Sequence, residues 1–402
     1  MRTIVLLLAA ALLAATTARA EVEFVPVFDA SFLLGQLYEN GSASNWEGNG
    51  SFQATPAIKF NDEWGLIPTY AFNYQGTKSV TDLGSGGQLF QDSMSHALIA
   101  KGVWKHGDLK LKPHAGYRWE FLRETTDEDW GKGLFDYQKP SLGIDAEYAI
   151  AEGWTATASF DWYKIRFPNY SSLESGVVSQ GLGRAEAAPH TLDSENLSYT
   201  AQTTFPTPAP DVRGLLTANW TTRSYGDQHI VVASGDLTPD TRVDQIKSIT
   251  GTLFWGRKFS EDLSLFLNLQ GAWTRVDSNQ NNYDAAVNVF LPDYYGYEET
   301  SIQPRATAVV GPKKLEFSFA YLRSHRRYLA RPAQDPAGAY LSDAQYIDQD
   351  NFTFDLGVPI NPHWKLLATA NMATASSNQQ YQLFFKTNYT LQSYLLGVSY
   401  SY

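Results

Sequence analysis

Cysteine is absent from this sequence of 402 residues, methionine occurs three times, and charged residues make up only 18%. Without cysteine there can be no disulfide framework, no thiolate metal site and no lipid-anchored amino-terminal cysteine. Basic residues are also in deficit, with 31 lysines and arginines against 42 aspartates and glutamates. This balance argues against nucleic acid as a partner, because nucleic acid calls for a basic face. No segment approaches the ~20 apolar residues that a membrane helix needs, so a helical membrane protein is excluded.

Residues 1–20 have the features of a secretory signal peptide. Arg2 stands near the start, an apolar run covers residues 4–15, and Ala18-Arg19-Ala20 forms a small-residue cleavage site. The apolar run is too short to cross a bilayer. We therefore predict an exported protein whose residues 21–402 form a single mature domain. Removing the signal takes away two arginines and moves the net charge from −11 to about −13.

Apolar and polar residues alternate strictly in segments spread along the chain. Leu263, Leu265 and Leu267 fall on one face of an extended segment, and Ser264 and Asn268 fall on the other. The same pattern occurs in residues 64–75, 141–150 and 263–274. Alternation with a period of two predicts β-strands with one apolar face and one polar face. A soluble sandwich alternates in the same way, so the pattern alone does not settle the class.

Short and long connections alternate between the predicted strands. The short ones lie at Asn61–Glu63, Lys105–Asp108, Ala151–Gly153, Pro210–Val212, Ser260–Asp262, Gly311–Lys313 and Asn361–His363. The longer, polar ones cover residues 80–88, 125–132, 170–194, 228–240, 279–293 and 331–343. This asymmetry predicts an all-β, transmembrane antiparallel up-and-down β-barrel with short periplasmic turns and long extracellular loops. With Phe24–Tyr38 as the first strand and a last strand ending at Tyr402, we expect about 16 strands, within about 14–18.

Aromatic residues recur at both ends of the predicted strands. Trp64, Trp154 and Trp364 directly follow short turns, and Trp104 lies just before another. The ten residues from Trp64 to Tyr74, at ~3.3 Å each and tilted by ~45°, span roughly 23 Å. This height is close to the ~25 Å apolar band that lies between the two aromatic girdles of such barrels, although a tryptophan beside a turn can also cap a soluble core. We predict girdles formed by Trp64, Trp104, Trp154, Trp364, Tyr74, Trp162, Trp220 and Trp273.

The chain end resembles the carboxy-terminal assembly signal of Gram-negative outer-membrane β-barrel proteins. The segment 397–402 ends in an aromatic residue, and Gly397, Tyr400 and Tyr402 match the glycine and the alternating apolar positions of that signal. Tyr402 replaces the commoner phenylalanine, and Leu395 occupies a usually polar position. The resemblance implies integration into the bacterial outer membrane, with its lipid, its lipopolysaccharide and the barrel-assembly machinery as partners. The strand layout is similar to that of general porins, which implies small hydrophilic solutes and a homotrimer.

The face opposite the apolar one carries charges of both signs. Its pore-lining candidates are Lys110, Lys112, Arg118, Glu120, Asp145, Glu147, Asp161, Arg223, Arg305, Glu316, Asp355 and Lys365, together with Lys59. Unpaired ions in a dry core would cost several kcal/mol each, whereas a barrel of ~16 strands can hold an aqueous channel. Two interpretations of the cations at 110–118 and the anions at 145–161 remain open. They form either a transverse field across the channel or cross-strand pairs within the wall, worth ~0.2–1 kcal/mol each.

The longest predicted loop, residues 170–194, is a candidate for narrowing the channel. It contains three glycines, a lone Arg184, and His190 close to Asp193. In general porins a long loop folds inward, and the alternative here is an exposed surface loop. His190 and Asp193 alone do not make a metal site, and we predict neither a metal nor another cofactor.

A basic cluster, Arg323-Ser324-His325-Arg326-Arg327, lies at the outer end of the predicted strand 314–330. The alternation places Arg323 and His325 on the outer face near lipopolysaccharide headgroups, and Arg326 on the inner face. The cluster is therefore either a belt that contacts lipid headgroups or part of a substrate site.

No catalytic constellation stands out. The seven histidines are scattered, and the residues around Ser93, Ser95 and His96 lack the neighbours that outer-membrane lipases and acylases require. We therefore predict no enzymatic activity. The leading hypothesis is a porin-like channel for passive diffusion of small hydrophilic solutes. The alternatives are an export, assembly or conduit barrel that works with a periplasmic or inserted partner, and a structural or adhesive barrel that acts through its loops.

Overall fold

The computed structural model describes residues 22–76, 92–123, 128–170, 189–209, 211–284, 287–382 and 387–402. The predicted signal peptide lies outside the described residues. Within them the chain forms 20 β-strands and contains no helix long and apolar enough to cross a membrane. The strands are β1 (Glu23–Val25), β2 (Phe28–Glu39), β3 (Ser42–Ala54), β4 (Ala57–Lys59), β5 (Trp64–Gln75), β6 (Asp92–His106), β7 (Leu109–Arg123), β8 (Tyr137–Ala151), β9 (Trp154–Ile165), β10 (Ser194–Pro206), β11 (Val212–Val231), β12 (Leu237–Ser260), β13 (Leu263–Ser278), β14 (Asn282–Asp284), β15 (Val289–Leu291), β16 (Tyr297–Val310), β17 (Leu315–Gln334), β18 (Tyr340–Pro359), β19 (Trp364–Ser377) and β20 (Tyr389–Ser401).

Sixteen of these strands form one closed antiparallel barrel. They are β2, β3, β5–β13 and β16–β20, and each pairs with the next along the chain. Strand β2 pairs with β20 from Asp29↔Ser401 to Glu39↔Leu391, which closes the ring. The other four strands are short: β1 pairs with β4 beside the barrel, and β14 pairs with β15 in the connection between β13 and β16. The structure therefore confirms the predicted all-β, up-and-down barrel of about 16 strands.

Two of the short periplasmic turns are built in the same way. The side chain of Asn61 accepts hydrogen bonds from the backbone N–H groups of Glu63 and Trp64 at 2.9 and 2.8 Å. Asn361 accepts from the N–H groups two and three residues ahead, at 2.9 and 3.0 Å. Asparagine readily forms such turns because its short side chain reaches its own backbone. Each turn fixes the start of the next strand at a tryptophan, Trp64 in β5 and Trp364 in β19.

The predicted first strand, Phe24–Tyr38, is wrong at its beginning. The barrel strand β2 starts at Phe28, and the preceding β1 pairs with β4 instead of with the last strand. Pro26 separates the two segments and has no backbone N–H to donate to a strand ladder. The segment therefore divides at Pro26 into a short strand beside the barrel and a strand of the barrel wall.

One connection at the extracellular end is much shorter than predicted for that side. Strands β2 and β3 are joined by Asn40 and Gly41 alone, both with positive φ values, 49° and 80°. These are the residue types and backbone conformations of a two-residue β-hairpin turn. Not every extracellular connection of this barrel is therefore long.

The predicted loops 228–240 and 331–343 consist mainly of strand. Strands β11 and β12 leave only residues 232–236 between them, and β17 and β18 leave only 335–339. These strands continue well beyond the aromatic residues that face outward lower on the same strands. In these upper parts polar side chains such as Gln228 and Arg331 are mixed with apolar ones along the strand, so the apolar–polar alternation is lost while the backbone pairing continues. The result is two tall hairpins at the extracellular rim.

Candidate functional site on the inner wall

The outer face of the barrel is an apolar band. Large apolar side chains on this face are exposed, including Leu142 at 55%, Phe354 at 54% and Leu396 at 69%. Trp64 lies opposite Trp104 with ring centroids 6.2 Å apart, and Trp364 lies opposite Tyr400 at 4.9 Å. In the strand registers, Trp64, Trp104, Trp154 and Trp364 occupy the periplasmic end of this face, and Tyr74, Trp162, Trp220 and Trp273 lie toward the other end. An apolar exterior bounded by aromatic side chains suits a lipid bilayer.

The inner face carries a network of ion pairs across β6, β7 and β8. The Glu147 carboxylate accepts from Lys110 Nζ at 2.6 Å and from Lys112 Nζ at 2.5 Å. Asp145 lies two residues before Glu147 and accepts from Lys101 Nζ at 3.1 Å. The predicted cations and anions at these positions are thus paired within the wall. Lys101 was not predicted as a pore-lining residue. Its position in the alternation of β6 places it on the interior face, and this alternation could have identified it.

The next contact in this network spans three strands. His114 on β7 lies 2.8 Å from the Asp161 carboxylate on β9, with β8 between them. The intervening position is Gly143, where a Cβ atom would lie 2.8 Å from His114 Cε1 and closer still to the two bonded atoms. The absence of a side chain at Gly143 is what allows the two residues to meet across it. His114 was not predicted as an interior residue.

Two further ion pairs line the wall formed by β16–β19. Lys365 Nζ lies 2.8 Å from the Glu316 carboxylate, and an Arg305 nitrogen lies 3.7 Å from that of Asp355. Thr369 donates to Asp355 at 2.9 Å. The side chains of Lys365, Glu316, Arg305 and Asp355 are 36%, 40%, 53% and 37% exposed. Charged groups on this wall therefore remain in contact with solvent.

A third group of interior charges lies on β7, β8 and β11. Arg118 pairs with Glu120 at 2.5 Å on the same strand. Lys139, opposite Arg118 on β8, lies with its Nζ 4.1 Å from the centre of the Tyr163 ring. Arg223 donates through Nε to Asn196 Oδ1 at 3.0 Å. Arg118, Glu120 and Arg223 were predicted, whereas Lys139 was missed.

Arginines stacked on tyrosines occupy the extracellular end of the inner wall. The Arg242 guanidinium lies 4.8 Å from the Tyr225 ring and 4.3 Å from the Tyr295 ring. Arg331 is placed in the same way against Tyr294 and Tyr328, at 3.9 and 4.6 Å. Tyr294 and Tyr295 belong to the connection between β13 and β16, so this connection is held against the interior side chains of β12 and β17.

A hydrogen bond adds a second attachment for the same connection. Tyr340 at the start of β18 donates to Asp284 at 2.7 Å. Burial and this carboxylate raise the pKa of Tyr340 above its ordinary value, so the phenol keeps the donating proton. Sequence reasoning missed these contacts because the polar pattern of residues 228–240 and 331–343 predicts loops there. The inward-folding loop was instead expected at 170–194, of which 171–188 lie outside the described residues.

The basic cluster at 323–327 is divided between the two faces of β17. Arg323 and His325 face outward and contact Asp350 and Asp348, each at 2.9 Å. Arg326 faces inward, as expected from the alternation, and contacts Glu299 at 2.6 Å. These two outward side chains are therefore paired with carboxylates of β18, and contact with lipopolysaccharide remains a prediction.

The remaining candidates concern metals and the chain end. His190 lies 3.2 Å from Asp193, and no cluster of three metal-ligating side chains occurs in the part of the chain that is described. Tyr400 and Tyr402 each stack on Phe28, with ring centroids 5.3 Å apart. Gly397 lies opposite Leu33 in the pairing that closes the barrel. The three predicted signal residues thus lie where the last strand meets the first.

These features define an outer-membrane β-barrel protein. No protein-family model matches the sequence, and no curated protein matches it. Among solved structures, OmpT of Vibrio cholerae in its trimer form is similar at 11% identity with a TM-score of 0.49, covering 94% of this chain and 99% of that one. A bacterial polysaccharide outer membrane secretin is similar at 8% identity and 0.47, covering 94% and 98%. An anion-selective porin from Comamonas acidovorans is similar at 9% identity and 0.46, covering 95% and 100%. Similarity at this level concerns the barrel fold and identifies neither a family nor a solute.

Proposed function

We propose that the protein forms a water-filled, porin-like channel for passive diffusion of small hydrophilic solutes. The observation that carries this proposal is the solvent exposure of charged side chains on the inner wall, such as Arg305 at 53% and Lys110 at 41%. A barrel of 16 strands is wide enough to enclose an aqueous channel. Charged groups of both signs keep water in such a lumen, because desolvating them would cost several kcal/mol per ion.

Single-channel recording in a planar bilayer tests this proposal. Because the sequence contains no cysteine, a thiol reagent will react only with a cysteine that is introduced. Thr157 and Ala158 are neighbours on β9, and the register places Thr157 on the inner face with Glu147, and Ala158 on the lipid face. We expect stable conductance steps from the unmodified protein. A bulky charged thiol reagent should lower the conductance of Thr157→Cys and leave that of Ala158→Cys unchanged. A folded barrel that gives no conductance, or equal effects at both positions, would refute the channel.

The proposal also includes the absence of enzymatic activity and a homotrimeric assembly. The trimer rests on the resemblance to general porins, and the oligomeric mass of the detergent-extracted protein tests it.

A further inference from the structure

Lys139 and Arg223 both lie on the inner wall without a carboxylate partner within the described part of the chain. Among the described residues, no carboxylate oxygen lies within 4.0 Å of Lys139 Nζ or of the Arg223 guanidinium nitrogens. Lys139 is held against the Tyr163 ring, and Arg223 is held by the amide oxygen of Asn196. Both side chains are thus positioned by neutral groups and not by an ion-pair partner.

The carboxylates that act on these two cations already have other partners. Asp161 attracts the Lys139 charge electrostatically, but its carboxylate is already hydrogen-bonded to His114 at 2.8 Å. Asp244 attracts the Arg223 charge electrostatically, but its carboxylate already forms an ion pair with Arg242 at 2.8 Å. Glu120, the carboxylate nearest along β7, is held by Arg118. This part of the wall therefore carries a surplus of positive charge.

The two cations also approach one another. Tyr163 and Asn196 lie directly opposite each other on β9 and β10. The charged ends of Lys139 and Arg223 therefore lie over adjacent strands, which are ~4.8 Å apart. Arg223 and Arg118 both repel the Lys139 charge. Like charges this close disfavour each other unless a counter-ion lies between them.

We propose that Lys139 and Arg223 form a binding site for a small oxyanion, a carboxylate or phosphate group carried by a solute. The proposal rests on the proposed channel and assigns it a substrate class. The spacing allows one oxyanion to accept hydrogen bonds from Nζ of Lys139 and from the guanidinium of Arg223 at once. Arginine is well suited to this role, because its planar donors match carboxylate and phosphate geometry. Tyr163 and Asn196 are positioning residues that hold the two cations.

Equilibrium binding to the detergent-solubilised barrel tests the site without requiring conduction. Titration calorimetry with inorganic phosphate and with acetate shows which oxyanion is preferred. The double variant Lys139→Gln with Arg223→Gln should bind the preferred anion at least ~10-fold more weakly, because two charge-assisted hydrogen bonds are lost. The control Lys313→Gln with Lys314→Gln removes the same charge at the turn between β16 and β17 and should bind like the unmodified protein. Unchanged affinity in the first variant, or no binding of either anion to the unmodified barrel, would overturn the site.

Reversal potentials under a salt gradient provide the second readout. The unmodified channel should favour chloride over potassium, and the Lys139→Gln/Arg223→Gln variant should lose most of this preference. The conservative exchange Lys139→Arg with Arg223→Lys keeps both positive charges and should keep the preference for chloride. A merely structural role of the two side chains would not require this result. Anion binding by a barrel that never conducts would support the site and refute the channel. Conduction with the same ion preference in the unmodified protein and both variants would refute the site and support the channel.

Discussion

Replacing Gly397 by alanine should prevent the barrel from closing. A Cβ atom at this position would overlap the carbonyl oxygen of Phe32 and lie 2.7 Å from the Cα of Leu33, both backbone atoms of β2. Gly35, two residues further along β2, behaves alike, because a Cβ there would overlap the carbonyl oxygen of Tyr394 and lie 2.8 Å from the Cα of Leu395. The cost should exceed the ~1–3 kcal/mol of ordinary core overpacking, because backbone atoms have no alternative rotamer. We expect Gly397→Ala and Gly35→Ala each to lose the heat-modifiable folded band in gel electrophoresis.

A matched control exists on a strand far from this seam. Gly251 lies within β12, and a Cβ atom there would meet nothing within 4 Å. Gly251→Ala should fold like the unmodified protein, and alanine is also the less flexible residue in a strand. Normal folding of both seam variants would show that the first and last strands do not approach as closely as the structure indicates.

Replacing Asp244 by asparagine should destabilise the extracellular half of the barrel. Asp244 is only 2% exposed and accepts from two nitrogens of Arg242 at 2.9 and 2.8 Å. Removing one partner of a buried ion pair leaves the other charge uncompensated and costs about 3–5 kcal/mol. Arg242 also stacks on Tyr295, so its displacement should release the connection between β13 and β16. Denaturant unfolding measures the first effect, and limited proteolysis within residues 279–296 measures the second.

Asp277→Asn is the control for this prediction. Asp277 also pairs with an arginine, Arg275 at 2.7 Å, but its side chain is 35% exposed on the outer face. Exposed pairs contribute up to ~1 kcal/mol, so this variant should unfold nearly as the unmodified protein does and resist the protease equally. Equal destabilisation by the two substitutions would mean that burial at Asp244 does not govern the effect.

The sequence is informative about the barrel wall because pleating forces a period of two. A strand between lipid and water must alternate, so the phase of Leu142 and Ile144 is enough to assign Asp145 and Glu147 to the opposite face. This logic weakens above the membrane. The outer part of β12 carries polar residues on both faces, such as Thr241 and Arg242, so it leaves no apolar stripe in the sequence although its backbone is paired. The tall hairpins were missed for this physical reason, whereas Asn40-Gly41 carries a local turn signal that could have been used.

The inner-wall candidates could be assigned to a face, but not to partners. The contacts between these residues depend on the register between strands and on positions without a side chain, such as Gly143. The alternation of apolar and polar residues determines neither of these. Lys139 was missed because Tyr137, Gln138 and Pro140 around it blur the phase at the start of β8. The interior set was therefore predicted as a group of charges, and its division into paired and unpaired members depends on the three-dimensional arrangement.

The seam between β2 and β20 also bears on the order in which the molecule forms. Ser401 donates to Asp29 at 2.6 Å across 372 positions of sequence, whereas every other neighbouring pair in the wall is joined by a local connection. Contacts between distant residues form slowly, because a long loop must close before they are made. We expect β2 and β20 to be the two open edges of a nearly complete sheet until the final step, and open edges invite pairing with other chains. We expect this closure to limit the rate of folding and to be the step at which the predicted barrel-assembly machinery acts, by covering both edges until they meet.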